Sequence, residues 1–326
     1  MPRILGANCF VHAYNEVTWG TKPDTPDYVF LPLIDYGVAK ARNRRQSRPY
    51  FGNFGRKHGQ THSMMVQGAI RGALYGYHVD AGGEDTISLA EFILRKVFDN
   101  PTSHELPSFG CEWAQGPDVA NQRHSGLRIN TFALSGSADS GSWEFNAALM
   151  GKTEVNFATA QAIPTDLHRL IEFDFAGSVL KIAAHVDGEP GSLATIEFES
   201  LQLNRSHNLK ARFGGNTTPS VLDRTARETT LSFDLLKESD TYHAAARLLG
   251  GLDAEYNAQL IIKGRHDGTG DGDFTVITFD FPRCQLVNPD DKVAIEDHAM
   301  TTINLDCLKP DTADQEIAVT YGDDDA

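Results

Sequence analysis

The chain has 326 residues, and its composition of 40% hydrophobic and 22% charged residues is that of a folded globular protein, which excludes extensive disorder. It contains no run near the roughly 20 apolar residues that a membrane-spanning helix needs, and its start predicts no signal peptide. The net charge of -15 argues against nucleic-acid binding, because affinity for DNA depends largely on Lys and Arg contacts with phosphate.

In the first half of the chain, the predicted elements are strands and one helix. The predicted strands cover residues 28–33, 63–74, 127–134 and 143–150. The helix begins with the capping box Ser88-Leu89-Ala90-Glu91, in which the hydroxyl and the carboxylate satisfy free backbone donors, and it ends near Asp99. Between the first two strands lies an Arg-rich segment, which we interpret as a long loop.

In the second half, apolar and polar residues alternate, which is typical of antiparallel strands that bury one face. The predicted strands cover residues 171–175, 180–186, 196–203, 229–235, 255–263, 274–281, 303–307 and 317–321. A basic segment with Arg205, Lys210, Arg212, Arg224 and Arg227 is again interpreted as a loop. A second helix is predicted from its N-cap Asp240 to Gly250-Gly251.

Some predicted strands change phase midway. In one of them, the apolar positions switch from Leu127 and Ile129 to Phe132 and Leu134. The others cover residues 196–203 and 274–281. A slip of one residue turns the apolar side chains to the opposite face of a sheet, and a β-bulge absorbs such a slip. We therefore expect bulges or sharp bends within these strands.

The order of strand, basic loop, strand, helix and hairpin occurs twice, which predicts an architectural repeat. We expect a mostly β fold of two tandem antiparallel β-sandwich or barrel domains, 1–165 and 166–326, each with one short α-helix and a long loop. A length of 326 residues fits two domains of about 150 residues. The charge changes at the same boundary, because residues 1–165 hold 15 basic and 15 acidic residues, whereas residues 166–326 hold 14 and 29.

Catalytic motifs are missing from the sequence. It contains no dinucleotide-binding, P-loop or HExxH motif, so we predict no enzymatic activity, no cofactor and no metal. The serine-rich segment 136–142 lies between two strands and is interpreted as a hairpin loop, not as a nucleophile elbow. The acidic segment 267–273 offers oxygen ligands for calcium, but its position in a hairpin favours a solvated turn. Paired strand carboxylates such as Glu197 and Glu199 are interpreted as a polar face, not as a glycosidase site.

The cysteines and histidines also predict no metal site. The four cysteines are far apart in the sequence, at Cys9, Cys111, Cys284 and Cys307. Since no secretory signal is predicted, we expect reduced thiols in a protein made in the cytoplasm. The 12 histidines are scattered and are interpreted as surface or strand residues.

The basic loop of the first half is the candidate interaction site. Its candidate residues are Arg42, Arg44, Arg45, Arg48, Tyr50, Phe51 and Arg56. Arginine and aromatic side chains are typical of protein interfaces, and they also stack on nucleic-acid bases. We favour docking on a neighbouring subunit over a solvated loop. Nucleic-acid binding is the least favoured of the three interpretations, because the chain as a whole is acidic.

Several segments, in their order along the chain, resemble a known family. The first contains Glu16, Trp19, Gly20 and Thr21, with Trp19 where a Tyr is usual. The others cover residues 66–74, 198–204, 208–210 and 227–231. Together they are similar to the tail tube proteins (major tail proteins) of bacteriophages with long non-contractile tails, in the form with two tube domains per chain.

This resemblance implies a structural virion protein that stacks as rings into the hollow phage tail tube, which conducts genomic DNA during ejection. Each tube domain would supply about four strands to an inner β-barrel, so that a homotrimer forms a pseudo-hexameric ring. The implied partners are further copies of the chain, the tape measure protein, the tail terminator and tail-tip proteins. DNA would pass through the lumen without specific binding, and no membrane is implied. The resemblance also implies assembly in the host bacterial cytoplasm.

A β-sandwich binding module is the alternative to a tube protein. Such a module, either a tail-tip or adaptor protein or a carbohydrate-binding adhesin, predicts a concave face with exposed aromatic residues. The tryptophans Trp19, Trp113 and Trp143 are spread along the sequence and do not favour such a face. Ring formation without turnover of substrates would distinguish a tube protein from a binding module and from an enzyme.

Overall fold

The computed structural model describes residues 10–46, 59–77, 89–99, 106–114, 121–159, 170–186, 189–236, 255–264, 275–287, 290–292, 300–309 and 316–323. Some predictions fall outside these residues, namely the second helix after Asp240, the acidic segment 267–273 and the state of Cys9. They stay predictions.

Strands dominate the described part of the chain. The strands of the first half are β1 (Phe10–Asn15), β2 (Tyr28–Leu31), β3 (Asp35–Tyr36), β4 (Ala39–Gln46), β5 (Gly59–Ala73), β6 (Tyr75–Tyr77), β7 (Phe109–Ala114), β8 (Asn121–Ser137), β9 (Trp143–Gly151) and β10 (Thr153–Phe157). The helix is α1 (Leu89–Phe98). The strands of the second half are β11 (Leu170–Val186), β12 (Glu189–Pro190), β13 (Ala194–Ile196), β14 (Ser200–Ser206), β15 (Leu209–Arg212), β16 (Val221–Arg224), β17 (Glu228–Leu236), β18 (Glu255–Gly264), β19 (Thr275–Leu286), β20 (Asp290–Lys292), β21 (Met300–Cys307) and β22 (Ala318–Asp323).

Most predicted elements of the two halves are confirmed. The predicted first helix is α1, which begins at Leu89, and the strand predicted over residues 63–74 is β5. Ser88 of the predicted capping box falls outside the described residues. The two predicted hairpins are β8 with β9 and β18 with β19, and both pair antiparallel. The serine-rich segment between β8 and β9 is a turn, in which the Ser140 hydroxyl donates to the Ser137 carbonyl at 3.1 Å.

A continuous central sheet joins the two halves of the chain. Its antiparallel strands follow the order β4–β5–β9–β8–β14–β17–β21. The first half supplies β4, β5, β9 and β8, and the second half supplies β14, β17 and β21. The halves meet where Thr131 to Ser137 of β8 pair with Ser206 to Ser200 of β14.

Two further sheets branch from the central one. The N-terminal part of β8 belongs to a sheet of order β2–β1–β7–β8–β10. A third sheet has the order β13–β11–β18–β19–β22, and the end of β19 pairs with β21 of the central sheet. The strands β15 and β16 form a separate hairpin. Among the described strands the sheets do not close into a barrel, so the antiparallel β-structure is confirmed and a closed barrel within one chain is not.

The helix α1 is enclosed by these sheets. Of its ten residues, Glu91 and Arg95 alone are not buried, which is expected for a helix that lies within a core. Phe98 packs edge-on against Phe132 of β8 and Phe279 of β19, with ring centroids 6.1 and 5.9 Å apart. The helix therefore contacts strands of both halves, and the buried residues form one cluster that extends through both.

The predicted bulge in β8 is confirmed, and it links the two halves. The register between β8 and β9 shifts between Ile129 and Thr131, which leaves Asn130 without a partner in that ladder. Its carbonyl oxygen accepts the His207 N–H at 2.8 Å, and its Oδ1 accepts the Leu209 N–H at 2.7 Å. The second half thus satisfies polar groups that the bulge leaves unpaired.

Both basic segments that we interpreted as loops contain strands. Arg42, Arg44 and Arg45 lie on β4, which pairs with the long strand β5 over residues 39–46. In the second half, Lys210, Arg212 and Arg224 lie on the β15–β16 hairpin, and Arg205 lies on β14. Arginine and lysine on a strand edge give no apolar alternation, so the sequence pattern did not reveal these strands.

The strand pairing does not repeat between the halves. In the first half, the hairpin β8–β9 pairs with β5, whereas in the second half β17 pairs with β21 and the hairpin β18–β19 pairs with β11. The division into domains 1–165 and 166–326 stays a prediction.

The junction between the halves contains a buried histidine. His207 is fully buried, and its Nε2 is 3.1 Å from the Val97 carbonyl near the end of α1. Burial and the positive charges of Arg205 and Arg224 lower the pKa of His207 to about 3. The His207 imidazole is therefore neutral in the folded protein at neutral pH.

Acid should destabilise the fold through His207. Because its pKa is lower in the folded than in the unfolded chain, stability is fully present above pH 6.5 and is lost as the pH falls towards about 3. The expected loss is on the order of 1 kcal/mol per pH unit within this window. Urea unfolding at several pH values should give a shallower pH dependence for His207→Gln than for the unchanged chain. Parallel curves would contradict this assignment.

Candidate functional surface

The two faces of the central sheet differ in character. On one face, the register partners Phe145, Leu134, Leu203, Leu231 and Leu305 form an apolar row in the core. The adjacent residues along the same strands point the other way, because side chains alternate along a strand. They form the row Glu144, Ser135, Gln202, Ser232 and Asn304.

This second face, which we call the polar face, continues in rows on either side. One row consists of Arg71, Asn146, Ala133, Asn204, Thr230 and Asp306. Another consists of Ser137, Ser200, Asp234 and Thr302. All are half-buried or exposed, and most are short and uncharged. A shallow depression of about 510 Å³ lies over these rows, from Arg71 on β5 to Thr302 on β21.

Hydrogen bonds between neighbouring strands hold the polar side chains in place. The Asp234 carboxylate accepts the Ser200 hydroxyl at 2.7 Å and the Thr302 hydroxyl at 2.5 Å. The Ser232 hydroxyl donates to Asn304 Oδ1 at 2.8 Å. Such cross-strand pairs stabilise a sheet, and here they also order its outward surface.

The polar face is short of positive charge. Between β5 and β21, the described Lys and Arg residues on this side of the sheet are Arg71, which pairs with Glu144 at 2.6 Å, and Arg128, which is buried and donates to the Leu222 carbonyl at 2.7 Å. The hydrogen bond with Glu144 raises the pKa of Arg71, so this cation is fully charged and neutralised by its partner. Acidic groups on the same face include Asp234, Asp306 and Glu228. The face therefore has a net negative charge.

The residues predicted for subunit docking are located elsewhere. Arg42, Arg44 and Arg45 lie on β4, the edge strand of the central sheet, and Arg42 is exposed. Arg48, Tyr50, Phe51 and Arg56 fall outside the described residues. Sequence reasoning missed the polar face, because its residues are spread over six strands and only the pairing order brings them together.

The segment that carries the family resemblance has a structural role. The Glu16 carboxylate accepts the N–H groups of Gly20 and Gly126, both at 2.8 Å, and Trp19 Nε1 donates to the Gly126 carbonyl at 2.9 Å. Gly126 has a φ of 72°, which favours glycine, and a Cβ there would approach Lys152 to 2.8 Å. Burial raises the pKa of Glu16, while the two backbone donors oppose that shift. This segment therefore fixes the bend of β8.

A second buried carboxylate orders the sheet that contains β1 and β7. Glu112 is nearly fully buried and accepts hydrogen bonds from Lys22, Tyr28 and Arg123 at 2.8 to 2.9 Å. Although burial alone would raise it, these three donors lower the pKa of Glu112. With all its partners satisfied, this carboxylate has the environment of a structural ion pair.

The described ranges contain neither a metal-binding cluster nor a membrane-spanning helix. Over the ranges that the structure describes, no group of three or more His, Cys, Asp or Glu residues is placed to hold a metal ion. None of the helices in those ranges is long and apolar enough to cross a membrane. The thiols of Cys111, Cys284 and Cys307 are free and buried, and the predicted reduced state of the protein stays a prediction.

The class defined by these features is a β-rich protein with an extended, ordered polar surface. A family model described as phage tail tube protein matches residues 6–282. Because this match covers most of the chain, the protein belongs to the phage tail tube protein family. No match was found among curated proteins. The chain is thus a structural component of a phage tail, in agreement with the family expected from the sequence.

Proposed function

We propose that the chain polymerises as stacked rings into the tube of a long non-contractile tail, and that the polar face of the central sheet lines the lumen through which DNA passes. The observation that carries this proposal is the continuity of the polar face from β5 to β21 across both halves of the chain. A surface that wraps a duplex must extend over many strands, and this face does.

The electrostatics of the polar face suit a channel for DNA. Proteins hold DNA mainly through Lys and Arg contacts with phosphate, and on this face Arg71 is already neutralised by Glu144. The remaining charges, such as Asp234 and Asp306, repel phosphate. The Ser200 and Thr302 hydroxyls donate to Asp234, and the Ser232 hydroxyl donates to Asn304. DNA would therefore slide past this wall without specific binding.

The dimensions favour three copies per ring. Each chain contributes the seven strands from β4 to β21 and the edge strand β20 beside β21, so three copies supply about 24 strands. At about 4.8 Å spacing and about 40° tilt they enclose a barrel roughly 48 Å across the backbone, wide enough for duplex DNA after side chains are subtracted. On this proposal the two halves act as two tube domains, and the homotrimer is pseudo-hexameric.

The edges of the central sheet offer a way to close the ring. Among the described strands, β4 pairs only with β5, and β20 pairs only with β21, so the opposite edges of the sheet lack further partners. The β4 edge carries Lys40, Arg42, Arg44 and Arg45, whereas β20 begins with Asp290 and Asp291. Unpaired strand edges favour pairing with another chain, and here their charges are complementary. We propose that β4 of one copy meets β20 of the next.

Other partners follow from the same proposal. A tape measure protein would occupy the lumen before DNA enters, and a tail terminator and tail-tip proteins would bind the two ends of the tube. Rings would form in the host bacterial cytoplasm and remain in the virion.

The purified chain should form rings or tubes as its concentration rises. Negative-stain electron microscopy, together with light-scattering mass, should give rings of about three chains. A mass of about six chains per ring would be consistent with a tube protein, but it would contradict the proposal that each chain supplies two segments of the barrel. A stable monomer at every concentration, even in the presence of a tail-tip initiator complex, would contradict the proposal.

A cation on the polar face should hinder DNA. The Gln202→Arg substitution places a positive charge in the middle of this face, where Gln202 is exposed, and Gln202→Glu is the matched control. We expect both variants to form tubes. Tubes of the arginine variant should bind a short DNA duplex at least about tenfold more tightly than the control, with an affinity that falls as salt rises. Equal binding by both variants would place the polar face outside the lumen.

Charge reversal on β4 should block assembly. The Arg44→Glu, Arg45→Glu double variant should stay monomeric with an unchanged melting midpoint, because these residues lie on β4, an edge strand of the central sheet. The variant Lys210→Glu, at an exposed residue, serves as a control. Adding Asp290→Arg and Asp291→Arg should restore tubes if β4 meets β20. Tubes formed by the double variant alone would show that β4 is not an interface.

A further inference from the structure

Two of the three described cysteines face each other across neighbouring strands. Cys284 on β19 and Cys307 on β21 are register partners, and their Sγ atoms are 3.8 Å apart. Cys284 is fully buried and Cys307 is 6% exposed. The third, Cys111, has Ala13 and His124 as its strand neighbours, so it faces no thiol there.

The backbone hydrogen bonds define the geometry of this pair. Leu308 N–H donates to the Arg283 carbonyl at 2.8 Å, and Val287 N–H donates to the Asn304 carbonyl at 3.0 Å. In an antiparallel ladder, hydrogen-bonded pairs alternate with non-hydrogen-bonded ones, so Cys284 and Cys307 form a non-hydrogen-bonded pair. The Cα atoms of such a pair are about 4.5 Å apart, within the range of about 4.4 to 6.8 Å that disulfides span.

We propose that Cys284 and Cys307 form a disulfide when the chain meets hydrogen peroxide, and that this bond fastens the third sheet to the central sheet. The ladder between β19 and β21 that the disulfide would reinforce comprises just three described residue pairs. The bond would also close a loop over residues 285–306, which restricts the unfolded chain.

The reaction is balanced without any group beyond the peroxide. One thiolate attacks a peroxide oxygen and becomes a sulfenic acid, and the second thiol then attacks that sulfur and releases water. Overall, two thiols and one peroxide give one disulfide and two waters. Reducing cytoplasm opposes this reaction and an oxidising exterior permits it.

The environment of the pair sets the rate. Contact with the Cys284 thiol, together with burial, raises the pKa of Cys307 well above its usual range. Thiolate is therefore scarce at Cys307 at neutral pH, and oxidation should accelerate as the pH rises. Burial also raises the pKa of Cys111, so thiolate is scarce at this lone thiol as well.

The experiment uses the full chain, folded, with and without hydrogen peroxide at mildly alkaline pH. Proteolysis without reductant, followed by mass spectrometry, should find a peptide that joins Cys284 to Cys307. Oxidation should raise the melting midpoint by on the order of 5 °C in the unchanged chain and in the matched control Cys111→Ala. It should not raise the midpoint of Cys284→Ala or Cys307→Ala, each compared with its own reduced form.

Three results would overturn the proposal. The first is the absence of a Cys284–Cys307 peptide from folded chain after prolonged exposure, while urea-denatured chain becomes linked. The second is a linked peptide that joins Cys9 or Cys111 instead. The third is a Cys284–Cys307 disulfide that forms without raising the melting midpoint of the unchanged chain above that of its reduced form. This result would show that the disulfide does not stabilise the fold.

Discussion

Two hydrogen bonds to one bulge residue, Asn130, link the two halves of this chain beside the ladder that joins β8 to β14. A buried backbone carbonyl needs a hydrogen-bond donor, and the bulge at Asn130 leaves its carbonyl outside the β8–β9 ladder. His207 and Leu209 of the second half supply the donors, directly after β14 has paired with β8. Since β8 also pairs with β7, β9 and β10, this strand links the second half to two sheets of the first half, and the pairing of β6 with β11 is a second connection between the halves.

The opposed faces of the central sheet follow from that junction. Because the register continues from β8 into β14, apolar residues such as Leu134 and Leu203 stay on one side and polar residues such as Ser135 and Gln202 on the other. The apolar side encloses α1, whose Phe98 contacts both halves. The polar side is consequently unbroken, and its extent depends on the bulge remaining in its place.

The sequence predicted local structure well and long-range pairing poorly. Alternation and the phase change after Ile129 predicted the strands and the bulge, because both reflect which side chains face the core. The partner of the bulge was not predictable, since His207 lies far along the chain and carries no apolar signal. Arg205 was interpreted as part of a loop, but it lies on β14 and is buried. Its burial is tolerated because the Glu316 carboxylate lies 3.5 Å from the Arg205 guanidinium and compensates its charge. The polar face could not be predicted either, since it forms only when six strands are paired in the right order.

The distribution of cations connects the fold to the proposed tube. The chain has 29 Lys and Arg residues, so the scarcity of cations on the polar face does not follow from composition alone. Some cations are buried with partners, as Arg205 is with Glu316, and others lie on the edge strand β4. A cation on the lumen wall would hold phosphate, whereas a cation at a sheet edge attracts the acidic edge of a neighbouring copy. A positive charge would thus obstruct DNA on the polar face and promote assembly at the β4 edge. This difference gives a physical reason for the scarcity of cations on the polar face.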